Sequence, residues 1–332
     1  MKNNKTFIIA EIGNNHEGNF ILAKKLIKLA SECGADAVKF QYIIPEQLVS
    51  SNDQNRIQVL KKFLLKKQEY SNLALFAKRN NIQFFATPFD KHSFKFLNKI
   101  QNLFKISSGD NDHYHLIKLV ANSLKPIILS TGMSNVNIIK KTVNLINEIW
   151  SKNSFNSKIS LLHCISNYPT KDSDLNLNRI RTLIKEFPNC KIGFSDHSLG
   201  IDASLYAVSI GAKVIEKHFT LDNNYSDFRD HKIALNPENF KLMVKKIRKL
   251  EKIMGSSKIQ ISASEKNSFY NFKRSIVSNS DMKKNSKILE KNLVFLRPLS
   301  GIPASEYKII INKKLNKNIK KGHYFQYSDI KE

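Results

Sequence analysis

Short apolar runs bounded by polar or glycine residues recur through the first two thirds of the chain and mark eight strands: Phe7–Gly13, Ala37–Gln41, Ile82–Phe89, Leu103–Gly109, Pro126–Gly132, Lys158–Cys164, Lys191–His197 and Lys213–Phe219. Helical periodicity fills the gaps. In the first, Leu22, Leu26, Leu29 and Cys33 fall on one face at three- and four-residue steps. Strand and helix alternating eight times predict a parallel sheet, and eight strands close a barrel. Gly34 and Gly211 each follow a helix and precede a strand, where a left-handed cap turns the chain. A last helix opens at Asn236-Pro237, carries Phe240, Met243 or Val244, Ile247 and Leu250 inward, and stops at Gly255.

Beyond Gly255 the pattern changes. A polar linker over 256–271 leads to a domain over 272–332 whose apolar pieces, Leu293–Leu296 and Tyr307–Ile311, read as β-structure. A weak internal echo runs through it: Met282-Lys283-Lys284 leads to Leu293 as Ile319-Lys320-Lys321 leads to Ile330. The expected fold class is α/β, a TIM (β/α)8 barrel over 1–255 followed by a small β-rich domain.

Length and composition agree with this. The 332 residues suit a barrel of about 250 plus a module of about 60. Apolar residues at 41% and aromatics at 10% suffice for a large core and exclude disorder. The net charge of +26 raises nucleic acid or an anionic membrane as partner. Lysine outnumbers arginine, however, and is spread over helix faces among asparagines, which reads as a solvated basic surface that favours small anionic substrates. Cys33, Cys164 and Cys190 show no CxxC spacing, so neither a disulfide framework nor a thiolate zinc site is expected. Glu11 interrupts the N-terminal apolar run, and no stretch approaches the ~20 apolar residues of a membrane span. A cytoplasmic protein in a reducing compartment is the expectation.

In such a barrel, chemistry collects at the C-terminal ends of the strands. Those ends carry Glu11 with Asn14, Asn15 and His16; Lys39 and Gln41; Thr87 and Asp90; Lys105, Ser107, Ser108 and Asp110; Ser130 and Thr131; His163, Ser166 and Tyr168; Ser195, Asp196 and His197; and Glu216, Lys217, His218 and Thr220. Charges inside apolar strands must be paired or solvated by a site. For Glu216 and Lys217 a structural ion pair explains them as well as function does. Lys39 and Lys105 come with hydroxyl and amide neighbours suited to a phosphate or carboxylate. His197 and His218 end neighbouring strands, and two imidazoles near a carboxylate suit a catalytic divalent metal with open positions.

These residues resemble the sialic acid synthases, which make N-acetylneuraminic, legionaminic and pseudaminic acids. The pieces that carry the resemblance are Ala10-Glu11-Ile12-Gly13-Asn14-Asn15-His16-Glu17-Gly18, Val38-Lys39-Phe40-Gln41, Ala86-Thr87-Pro88-Phe89-Asp90, Lys105-Ile106-Ser107-Ser108-Gly109-Asp110, Leu129-Ser130-Thr131-Gly132-Met133, Leu162-His163-Cys164, Tyr168-Pro169, Ser195-Asp196-His197 and Glu216-Lys217-His218-Phe219-Thr220. They span the barrel, and Phe295-Leu296-Arg297-Pro298 extends the match into the tail. The resemblance implies a C-terminal antifreeze-protein-like (SAF) cap domain and a domain-swapped homodimer, with Arg297 recognising the sugar's N-acetyl group in the other subunit. It implies that His197 and His218 hold Mn2+ or Mg2+, with Glu11 and Asp110 around metal, water and sugar. Lys39, Lys105, Ser108, Ser130, Ser166 and Ser195 are implied to bind phosphoenolpyruvate, and Gln41, Tyr168 and Asp230 the acetamido sugar. Glu265 lies where the family places a connector carboxylate.

The implied reaction joins the enolpyruvate methylene carbon to the open-chain sugar aldehyde, adds water and releases phosphate. Departures bear on the sugar: Ser226-Asp227-Phe228-Arg229-Asp230-His231 replaces the common Gly-Pro-Asp-His, the cap reads Arg297-Pro298-Leu299, and 50–70 is shortened. The expected acceptor is N-acetylmannosamine or a related acetamido sugar, with a 2,4-diacetamido-trideoxy hexose as the alternative. A Schiff-base aldolase using Lys39 or Lys105 is the rival enzyme reading, and a basic nucleic-acid-binding protein the rival outside enzymes.

Overall fold

The computed structural model describes residues 5–331, which fall into two compact units divided after Gly255. In the first, β1 (Phe7–Gly13), β2 (Ala37–Tyr42), β3 (Gln83–Pro88), β4 (Phe104–Ile106), β5 (Ile127–Ser130), β6 (Ser160–Cys164), β7 (Lys191–Asp196) and β8 (Val214–His218) form one parallel sheet in the order β3-β2-β1-β8-β7-β6-β5-β4. All eight expected strands are present, each ending within three residues of its expected end. β4 stops earliest, because Ser108–Asp110 coil into a 3-10 turn in which Ser107 Oγ donates to Asp110 Oδ2 at 2.8 Å.

The barrel closes where β3 lies beside β4, and the strand order runs no ladder across that seam. Gln101 takes its place. Its buried amide accepts from Ala86 N at 2.8 Å and donates to Ala86 O at 3.0 Å and Leu103 O at 2.9 Å. One side chain thus satisfies backbone groups that neither strand pairs, and buried backbone polar groups require such partners.

Inside the barrel, side chains alternate with the pleat and stack in layers. Ile9, Ala37, Phe85, Leu103, Ile128, Leu162 and Val214 form an apolar floor. Two residues further along, the same strands present Glu11, Lys39, Thr87, Lys105, Ser130, Cys164 and Glu216. Register fixes who meets whom: Glu11 lies opposite Lys39 on one side and His218 on the other, and Ser195 opposite Glu216. Outside the sheet the large core packs helices onto strands. Helix Phe20–Glu32 buries Leu22 and Leu26, and helix Pro237–Met254 buries Phe240, Met243, Val244 and Ile247, with the Asn236 side chain capping Asn239 N. Gly34 and Gly211 both adopt positive φ, +87° and +115°, as their cap positions require.

The second unit pairs β9 (Ser275–Ser278) antiparallel with β10 (Leu293–Leu296) over a core that includes Ile276, Ile302 and Phe325. Tyr307–Ile310 is a short helix, not a strand. It continues a 3-10 turn, Ala304–Glu306, so the chain is already coiling, and of its residues Ile310 is the buried one. The echo is structural: Met282 and Ile319 pair with each other, and Leu293 and Ile330 each follow a 3-10 turn. The segment read as a linker contains a 3-10 turn, Ala263–Glu265, and a helix, Lys266–Phe272. Glu265 accepts from Ser262 N and Oγ, a capping role.

Gln101→Ala leaves three buried backbone groups unpaired, each costing about 1–3 kcal/mol. Urea unfolding of this variant is expected to show a stability loss of about 3 kcal/mol with an unchanged m-value. A loss under about 0.5 kcal/mol would mean the seam closes without the amide.

Candidate active site

The charged layer above the floor is the centre of the site. Lys39 Nζ lies 2.8 Å from Glu11 Oε2 and 3.8 Å from Glu216 Oε2, and Lys105 Nζ lies 3.2 Å from Glu216 Oε1. Ser195 Oγ donates to the same Glu216 oxygen at 2.9 Å. All four charged groups are buried. Two ammonium and two carboxylate groups balance one another, so the cluster is nearly neutral while its Nζ atoms can turn toward an arriving anion.

The carboxylates are not equivalent. Burial raises Glu11 to about 7, partly opposed by Lys39 and reinforced by repulsion from Glu216. Burial also works against Glu216, but Lys105 and Lys39 overcome it and hold this group at about 2. Burial lowers Lys105, whereas Glu11 and Glu216 more than offset burial at Lys39 and raise it. The two carboxylates are therefore pushed in opposite directions, Glu216 toward the ionised form by its lysines and Glu11 toward the protonated form by burial.

Hydroxyls surround the lysines. Ser130 and Ser166 each keep a buried Oγ with no hydrogen-bond partner. Gly132 keeps the space between Ser166 and a third hydroxyl, Ser108, open. A Cβ there would stand 2.6 Å from Ser108 Oγ and 2.7 Å from Ser166 Oγ. Only glycine lets the two hydroxyls converge beside the lysines. Unsatisfied buried donors facing two cations form an anion cradle.

His197 and His218 stand above this layer with ring centroids 5.4 Å apart. His197 Nδ1 donates to Ile165 O at 2.7 Å, so a metal would have to take Nε2 in place of a proton; burial lowers this group, but Cys164, the Ile165 carbonyl and Glu216 outweigh burial and raise it. His218 Nδ1 is buried without a hydrogen-bond partner. Burial, with repulsion from His197 and Lys39, lowers His218 well below its usual value and keeps it neutral, the form a metal needs. Among the described residues no third His, Cys, Asp or Glu completes a metal-binding group with them. The pair fits a two-point hold on a divalent cation, with remaining positions left to water and substrate oxygens.

One cavity of about 820 Å3 is lined by Glu11, Lys39, Gln41, Lys105, Ser108, Asp110, Ser130, Ser166, Tyr168, Ser195, His197, His218 and Asp230. These are all the expected site residues of the barrel. Gln41 accepts from Asn14 Nδ2 at 3.1 Å, the Tyr168 ring lies 4.1 Å from that of His197, and burial raises Asp110. Arg297 belongs to the other unit, with its guanidinium over the Phe272 ring at 5.6 Å and its carbonyl accepting from Tyr324 OH at 2.9 Å.

Other lining residues escaped the sequence reading: Arg56, Val59, Leu60 and Phe63, on and after helix Gln54–Lys61, with Ile43, Leu48, Phe89 and Phe228. A trace was available. Helix Gln54–Lys61 carries Ile57, Val59 and Leu60 but buries only Ile57, so its apolar residues exceed what packing onto the barrel uses. Phe63 and Phe228 stack at 4.8 Å and form an apolar wall.

Because Glu11 binds its proton more tightly folded than at the ordinary 4.5, that proton's stability is present below pH 4.5 and lost as pH rises through 7. Glu216 behaves oppositely, its contribution being present above pH 4.5 and lost as pH falls toward 2. In metal-free protein, Glu11→Gln is expected to gain stability relative to the unaltered chain between pH 5 and 8, by up to roughly 3 kcal/mol at 1.36 kcal/mol per unit. A stability difference that stays flat over this range would overturn the assignment of the proton to Glu11.

With the geometry in hand, comparison with known proteins is direct. The NeuB family profile matches residues 26–259 and the SAF domain profile residues 273–331. An uncharacterized protein of Methanocaldococcus jannaschii is 40% identical, covering 99% of this chain and 96% of its own length. The N,N'-diacetyllegionaminic acid synthase of Campylobacter jejuni is 39% identical, covering 95% of this chain and 97% of its own. The crystal structure of N-acetylneuraminic acid (sialic acid) synthetase from Leptospira borgpetersenii, in complex with citrate, superposes with a TM-score of 0.75 at 35% identity over 80% of this chain and 90% of that one. The chain belongs to the NeuB family of sialic, legionaminic and pseudaminic acid synthases and carries a C-terminal SAF domain.

Proposed function

We propose that the barrel mouth condenses phosphoenolpyruvate with the open-chain aldehyde of an acetamido sugar, releasing phosphate and a nonulosonic acid. The observation that carries this is the anion cradle of Lys39, Lys105 and the converging hydroxyls beside Gly132, set directly under two histidines. Lys39 and Lys105 hold the carboxylate and phosphate of phosphoenolpyruvate, with Ser108, Ser130, Ser166 and Ser195 filling the remaining acceptors. His197 and His218 would hold Mn2+ or Mg2+, which supplies Lewis-acid polarisation of the aldehyde oxygen.

As the methylene carbon bonds to the aldehyde carbon, positive charge develops on the enol carbon. Glu216, anionic throughout, lies where it stabilises that charge. Water adds to the same carbon, Glu11 takes one of its protons and passes it to the oxygen that was the aldehyde's, and the hydroxyl left on that carbon gives up its proton to the departing phosphate as the carbon–oxygen bond breaks and the keto group forms. Both lysines are ion-paired, an arrangement that favours anion binding over the free amine a Schiff base requires.

Gln41, Tyr168 and Asp230 are assigned to the sugar, with Arg297 reaching it from a second copy in a swapped homodimer. The Phe63–Phe228 wall, with Leu48, Val59 and Leu60, favours the 2,4-diacetamido-trideoxy hexose over N-acetylmannosamine, since deoxy and acetamido methyls bury on apolar surface and a hydroxyl loses hydration there. The similarity to the Campylobacter jejuni N,N'-diacetyllegionaminic acid synthase supports the same choice. Among the described residues no helix is long and apolar enough to cross a membrane.

Purified protein incubated with phosphoenolpyruvate, Mn2+ and each sugar in parallel is expected to release phosphate with the diacetamido sugar, and EDTA should abolish it. Absence of phosphate release from folded, metal-loaded protein with both sugars would end this reading. Gly132→Ala places a methyl between Ser108 and Ser166, so KM for phosphoenolpyruvate should rise at least tenfold with little change in melting temperature. An unchanged KM would remove the cradle from the binding site.

A further inference from the structure

The acceptor wall hangs on one carboxylate that plays no part in the chemistry described above. Between β8 and helix Pro237–Met254 the chain forms a loop and a short helix, Arg229–Ile233, from which Phe228, at the helix N-cap, and Asp230 line the cavity. The residues flanking that arc, Ser226 and His231, both bond to Glu17. Ser226 Oγ donates to Glu17 Oε1, and His231 Nε2 donates to the same oxygen at 3.1 Å. His231 is buried, and its other ring nitrogen meets Thr220 Oγ1 at 2.6 Å, so the ring is fixed from both sides. Ser226 Oγ also accepts from Phe228 N at 3.1 Å, tying the latch to the wall residue itself.

Glu17 is held in turn. It sits in the loop after β1 at φ +46°, a left-handed conformation that costs a residue with a Cβ and persists where the surroundings impose it. The next residue, Gly18, passes so close to the chain that a Cβ would stand 2.6 Å from the Lys62 carbonyl oxygen. Lys62 precedes Phe63, the ring that stacks on Phe228. One short loop therefore keys both halves of the wall, Phe63 through close backbone approach and Phe228 through the carboxylate.

Resting on the synthase reading above, we infer that Glu17 is a positioning residue for acceptor specificity: it latches the 226–231 arc so that Phe228 and Asp230 present a fixed face to the sugar. The phosphoenolpyruvate cradle shares no residue with the latch and is set by β2, β4 and β5 and the turns that follow β4, β5 and β6. Removing the carboxylate should loosen the acceptor side alone.

Two variants test this. Glu17→Gln keeps size and removes charge, and Glu17→Gly removes the side chain at a backbone position glycine prefers, so folding is preserved. Without any substrate, amide hydrogen exchange across 225–232 should accelerate at least tenfold in Glu17→Gly; unchanged exchange overturns the latch whatever the enzyme does. With phosphoenolpyruvate, Mn2+ and the diacetamido sugar, both variants should raise acceptor KM tenfold or more, with KM for phosphoenolpyruvate and Mn2+ affinity within twofold and kcat within threefold. Ser226→Ala added to Glu17→Gln should bring no further loss, since the two act as a unit. Parallel rises in both KM values would show a merely structural role and overturn the inference. No phosphate release by the unaltered protein with either sugar would instead end the synthase reading, and the exchange measurement would still decide the latch.

Discussion

Everything at the mouth of this barrel rests on two lysines buried against two carboxylates. Isolated, any of the four charges would cost several kcal/mol to hold away from water; together they form a nearly neutral layer over the apolar floor of Ile9, Phe85, Ile128 and Leu162. Their asymmetry matters as much as their balance. Glu216 touches both lysines and a serine and stays ionised, while Glu11 is left to share its proton near neutrality. With one fixed anion, one exchangeable proton and two cations, the layer carries one positive charge when Glu11 is protonated, which favours an arriving anion.

The strands that carry this layer are held to rigid register, and the groups above it inherit that precision. His218 and Glu11 are cross-strand partners, so the imidazole stands beside the proton carrier by virtue of backbone pairing alone. The β3–β4 seam is the weak joint of the cylinder, and a single amide, Gln101, spans it. Chemistry thus sits on the stiffest part of the molecule, and recognition of the variable partner on its loops. The apolar wall comes from segments around Phe63 and Phe228, which lie outside the sheet.

A division of labour follows between fixed and tunable parts. The cradle depends on residue identities that cannot change singly: a methyl at Gly132 fills it, and a lost lysine strands a buried carboxylate. The wall is built from Phe63 and Phe228, which share no residue with the cradle.

Much of this was legible in the sequence. Eight apolar runs with helical spacers fixed the barrel and its phase, because alternation and periodicity are local properties of the chain. The polar residues at the strand ends pointed to the mouth, and charges inside apolar strands, Glu11, Lys39, Lys105 and Glu216, had to be paired or solvated by a site. What the chain alone could not determine were relations across it. The pairing that makes Glu216 the anion and Glu11 the acid depends on which lysine lies 3.2 Å away and which 3.8 Å. Apolar spacing around 307–311 read as a strand, but the preceding turn had already set a helix. The convergence of Ser108 and Ser166 on Gly132, the Phe63–Phe228 wall and the grip of Glu17 on Ser226 and His231 join segments from 24 to more than 200 residues apart. Contacts at such separation leave no periodic trace, and only the closed barrel brings them together.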